Sequence, residues 1–169
     1  MSCQPTRHRC TALAVGMSCL AAVHATLWQD CAAAENITGP RLHFSNVVSD
    51  PDPLHTGQQQ IINKTGTSDI DATNFTSTFS QYWCVTDCHD KDGNIKWQTG
   101  LPWVRFLKIN LKCPDSMCPV SAGKPFATSA VHPKLAALTP HGWYRSRQVY
   151  HDSNGKAIGC ADMIIQYVK

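Results

Sequence analysis

The sequence predicts an all-β sandwich, and three observations carry that expectation. Glycine, proline, asparagine and aspartate punctuate the chain at short intervals, and the segments between them are rich in β-branched and aromatic residues. Seven such segments can be counted, the number a two-sheet sandwich needs. The chain has 169 residues, about one domain's worth, and 43% hydrophobic against 16% charged residues describes a chain able to bury a core.

The first two predicted strands, 41–48 and 58–64, are separated by Pro51, Pro53 and Gly57. Alternation is clearest in 74–84, where Phe75, Ser77, Phe79, Gln81 and Trp83 share one side. In 103–111, Trp103, Arg105, Leu107, Ile109 and Leu111 stand opposite Val104, Phe106, Lys108 and Asn110, so one side of each strand is wetter. Residues 126–131 form the fifth strand. The last two, 143–151 and 157–168, flank an Asn154-Gly155 pair that tolerates positive φ, and they should be antiparallel neighbours. Between Pro133 and Pro140 there is room only for a short helix, at 133–138. No internal repeat, low-complexity tract or dividing linker is visible.

Residues 1–25 have the layout of a secretory leader. Arg7, His8 and Arg9 precede an apolar stretch from Cys10 to Val23, too short for the roughly 20 residues that span a bilayer. Val23 and Ala25 place the expected cut before Thr26, leaving 26–169 as the mature domain. That cut removes Cys3, Cys10 and Cys19 of nine cysteines and leaves six. It also removes Arg7 and Arg9, so 15 basic residues become 13 against 12 acids, and the net charge falls from +3 to +1. With no sustained basic patch, a nucleic-acid partner is excluded. Asn36, Asn63 and Asn74 each begin a glycosylation sequon, in keeping with a secreted or endolysosomal chain.

Six cysteines permit fifteen pairings. Cys113 and Cys118 enclose a turn-forming loop, Cys84 and Cys88 a similarly short one, and Cys31 is then left with Cys160. A metal site built from Cys84, Cys88 and His89 near Cys113 and Cys118 is the competing reading, which an oxidising compartment disfavours, so no metal is expected.

The motifs of serine, zinc, phosphate-binding and redox catalysis are absent, so no catalytic residue and no cofactor are assigned. Glu35 is the only glutamate, and the aspartates sit mostly in polar turns. Asp162, inside the last apolar strand on the side of Cys160 and Ile164, is the exception, and an edge or outward position is expected for it. Six mature histidines would carry the charge from +1 toward +7 below about pH 6 and strengthen attraction to anionic lipid.

The run Gly142, Trp143, Tyr144, Arg145, then Asn154, Gly155, Lys156, then Gly159, Cys160 resembles the final hairpin of the ML lipid-recognition domain family, its ganglioside activator branch above all. Trp28, Asp30 and Cys31 resemble the family's opening, and Asp50–Pro51–Asp52–Pro53–Leu54 with Gly57 its acidic proline turn. Cys113 through Pro119 with Gly123, and Val131, Pro133 and Leu135, are similar to its later loop and strand approach. The resemblance implies an immunoglobulin-like two-sheet sandwich with an apolar cavity between the sheets. It implies a non-catalytic carrier that sequesters and presents or transfers a glycolipid, phospholipid or sterol, touches membranes transiently, and assists a glycolipid hydrolase or serves as a sterol carrier. Exposing a lipid chain costs about 0.8 kcal/mol per CH₂, so transfer needs such a container. Lining is expected from Phe75, Phe79, Phe106, Leu107, Ile109, Val131 and Ile164, and a rim from Trp97, Leu101, Trp103, Leu135 and Leu138. A protein-binding immunoglobulin-like recognition module or co-receptor is the alternative function.

Overall fold

Period-2 alternation decides where each side chain goes, and β4 displays it plainly. The computed structural model describes residues 26–98, 100–132, 134 and 139–169. Within β4 (Gln60–Ser68), Gln60, Ile62, Lys64, Gly66 and Ser68 are buried, while the residues between them face out. The other strands are β1 (Leu27–Asp30), β2 (Leu42–Asp50), β3 (Leu54–His55), β5 (Thr76–Cys84), β6 (Trp103–Lys112), β7 (Pro125–His132), β8 (Gly142–His151) and β9 (Ala157–Val168). Short 3-10 turns lie at Ala33–Glu35 and Pro114–Ser116.

The large sheet runs β1-β9-β8-β5-β6, with β3 parallel beside β9, and the small sheet runs β2-β4-β7. β8 and β9 form the expected hairpin: Gly155 at φ +79° completes a turn in which the Asp152 carboxylate accepts from the Asn154 and Lys156 amides. Each of the seven predicted segments contains a strand. β1 and β3 are additions, two short strands laid along the edge of β9. The helix expected at 133–138 lies outside the described residues, Lys134 apart, as does the leader at 1–25.

Three strands cannot cover six. β2 packs across β9 and β8, where a Cβ on Gly159 would come within 2.9 Å of Leu42, and the Phe44 and Tyr150 rings lie 5.2 Å apart. β4 faces β8 through Lys64 and Gln148, and β7 reaches β5, where the Phe79 and His132 rings are 5.9 Å apart. Leu42, Phe44, Val47, Ile62, Tyr150, Met163 and Ile165 fill this part of the core. Among the described residues, β6 pairs with β5 alone.

The outer face of the large sheet is covered too, by chain outside the sheets. From Cys160 onward, even-numbered residues of β9 point to that face, and Cys160, Asp162 and Ile164 are all buried there. Segment 31–37 packs over Cys160, tied by the Cys31–Cys160 disulfide, and segment 84–103 packs over Ile164 with Cys84 bonded to Cys88. A third disulfide, Cys113–Cys118, closes the loop after β6.

Candidate functional site

Among the described residues, β6 carries an apolar face without a partner strand. Along β5 the register runs Gln81 to Leu107, then Tyr82 to Arg105, so Phe106 is an extra residue in a β-bulge. The bulge breaks simple alternation and brings Val104 onto the same face as Leu107 and Ile109, the face turned toward the small sheet. Phe106 joins them, edge-on to Tyr144 at 5.9 Å between ring centres. With no strand opposite among the described residues, Phe106 is 56% exposed, and Val104, Leu107 and Ile109 are between 37% and 44% exposed. Four contiguous exposed hydrophobes on one strand are an apolar surface awaiting a partner, not ordinary surface scatter.

Behind that face the inter-sheet space becomes polar. Lys64, buried on β4, donates to the Gln148 side-chain carbonyl at 2.6 Å and to the Tyr150 hydroxyl at 3.2 Å, and Gln148 donates on to Ser77. Lys64 and Gln148, with Phe79, Val47, Met163 and His132, line a cavity of about 20 Å³, room for about one water. Toward the Gly142 end, the buried Trp83 Nε1 and Tyr167 hydroxyl have no hydrogen-bond partner among the described residues. Tyr144 beside them donates to the Pro140 carbonyl at 2.6 Å, and burial raises its phenol pKa.

On the opposite face stands an ionic hub that sequence reading missed. Asp162 does lie on the face turned from the small sheet, but it is fully buried, contrary to the edge or outward exposure expected, because segments 31–37 and 84–103 cover it. Its carboxylate accepts from Arg145 (Nε 3.1 Å, Nη2 2.6 Å) and from Arg147 (Nη2 2.8 Å). Arg147 reaches Glu35 at 2.5 Å, and Arg145 donates to the Gln98 carbonyl at 2.9 Å while lying 5.8 Å from both the Tyr82 and Trp97 rings. Burial pushes the Asp162 pKa up, but hydrogen bonds from Arg145 and Arg147, and then their charges, outweigh it and hold the carboxyl below its ordinary value. The hub clamps both covering segments to the sheet. A signal was present: counting equally outward from the Asn154-Gly155 turn sets Arg147 against Asp162, which is the observed register.

The predicted contact residues therefore separate into groups. Phe79 and Phe106 face the inter-sheet space, as do Leu107 and Ile109. Phe75 is buried in the core against Tyr150. Ile164, Trp103 and Trp97 belong to the outer face, where they pack with the Cys84–Cys88 loop, so they do not line the space between the sheets; strand parity puts Ile164 with Asp162. Val131 pairs with Ile61 on the outward side of the small sheet. Leu101 is 72% exposed at the turn leading into β6. Leu135 and Leu138 lie outside the described residues. Asn36, Asn63 and Asn74 are all exposed.

No protein-family model and no curated protein matches the sequence. Solved structures do match the fold. The chain is similar to the Niemann-Pick type C2 protein from Japanese carpenter ant at a TM-score of 0.53 and 13% identity, over 84% of this chain and 99% of that one. Chicken MD-1, in a structure complexed with lipid IVa, aligns at a TM-score of 0.47 and 9% identity, over 83% of this chain and 88% of that one. The likeness to the ant protein is one of fold: this chain is an immunoglobulin-like, ML-like β-sandwich.

Proposed function

We propose that this protein is a secreted or endolysosomal lipid-binding protein of the ML type, in the ganglioside activator branch, which sequesters a glycolipid, phospholipid or sterol and presents or transfers it. The observation that carries the reading is the inward face of β6, where Val104, Phe106, Leu107 and Ile109 stand exposed. An acyl chain laid along that face would shield them while losing its own contact with water, at about 0.8 kcal/mol per CH₂ buried. The fold shared with the ant Niemann-Pick type C2 protein and the motifs at Gly142–Arg145 and Asp50–Leu54 support the family assignment. No covalent step is required: the protein supplies shelter and release, and a partnered hydrolase would supply any chemistry.

The test is organic extraction of purified protein followed by mass spectrometry, paired with transfer of a labelled lipid between vesicles. A stoichiometric lipid and transfer that falls at least about tenfold in Phe106→Asp are expected, because a carboxylate on that face would have to be desolvated by the chain. Protein that yields no lipid and moves none between vesicles refutes the proposal.

A further inference from the structure

We infer that the free edge of β6 is a docking surface for an anionic lipid bilayer; the inference rests on the lipid-binding reading and adds where, and on what charge, the protein lands. β6 is the last strand of the large sheet, and among the described residues no strand pairs with its far side. Its ten residues contain Arg105, Lys108 and Lys112 and no acid. The register pairs these three cations with Tyr82, Ser80 and Thr76, on the face turned away from the small sheet, opposite the apolar face of Val104, Phe106, Leu107 and Ile109. One strand edge thus presents a basic flank and an apolar flank, both exposed. Leu101, at the turn into the strand, extends the apolar flank.

An anionic bilayer meets both flanks at once. Acyl chains near the surface accept the hydrophobes to a depth of about 5–10 Å, and phosphates of the headgroup layer meet basic side chains long enough to reach back to them. A second copy of this chain fits worse: pairing along the same edge sets three cations against three more, and the bulge at Phe106 interrupts the ladder. The apolar face of β6 lies on this edge, so a docked molecule has its lipid-facing surface already against the membrane.

Co-sedimentation of the intact mature protein with phosphatidylcholine vesicles, with and without about one third phosphatidylserine, tests this. Wild type should bind the mixed vesicles, release with added salt, and bind neutral ones at least about tenfold more weakly. The double variant R105E/K108E should lose at least about tenfold on mixed vesicles, while K124E/K156E, with the same net charge change on exposed residues elsewhere, should bind as wild type. R105E/K108E should still co-purify with lipid, so vesicle binding can fail without the lipid-binding reading failing. The inference is overturned if R105E/K108E binds mixed vesicles like wild type, or if K124E/K156E loses as much. It is equally overturned if wild type is a dimer that R105E/K108E makes monomeric, which would give the edge to a second copy.

Discussion

Replacing Asp162 by asparagine probes the hub with nearly no change in shape. In the native protein the Asp162 carboxylate takes contacts at 3.1 and 2.6 Å from Arg145 and at 3.2, 3.2 and 2.8 Å from Arg147. Asparagine keeps one oxygen and turns an N–H₂ toward guanidinium donors, leaving side chains only 2% and 9% exposed with their central anion gone. Breaking a buried pair in this way costs about 3–5 kcal/mol, a large share of a domain's stability. Urea denaturation at pH 7 should register that loss with an unchanged slope, and the melting temperature should fall by roughly 6–20 °C. Because the folded pKa of Asp162 lies below its ordinary 3.8, its stabilisation is present in full above that value and disappears as pH falls through the folded value. The gap between wild type and D162N should therefore hold from pH 7 to about pH 5 and narrow below about pH 4. A D162N loss under about 1 kcal/mol, or a gap that closes already between pH 7 and pH 5, would refute the clamp.

Two further outcomes follow from other parts of the fold. Removing the Cys31–Cys160 bond as C31S/C160S opens a loop of sequence separation 129 and should cost about 4–5 kcal/mol by denaturation, well above the loss for C84S/C88S, whose separation is 4. Tyr167→Phe removes a buried hydroxyl that has no partner among the described residues, so it should leave stability unchanged or raise it by up to about 1 kcal/mol; a loss above that would reveal a bond to this hydroxyl.

Strand positions were legible because local signals sufficed: β-branched runs, the period-2 face of Phe75, Ser77 and Phe79, and the Asn154-Gly155 turn. β1 and β3 were not, since strands of four and two residues carry no period and exist only by pairing with β9. Site residues were harder. Parity assigns a residue to one face, but not which face meets the other sheet, so Ile164 read as lining and Trp103 as rim while the structure turns both outward. The bulge at Phe106 hid the apolar face of β6, because alternation through Arg105, Leu107 and Ile109 put Val104 on the wrong side. Asp162 read as exposed because the segments that cover it are irregular chain with no pattern of their own.

The unequal strand numbers also bear on what sizes of guest the proposed carrier would hold. Near Gly159 and Leu42 the two layers touch as tightly as a book's spine, yet among the described residues no ladder bond joins one cover to the other. On the lipid-binding reading proposed above, a guest's girth would be met by a small change in the angle between the layers, and its polar end would come to rest beside Lys64 or Trp83.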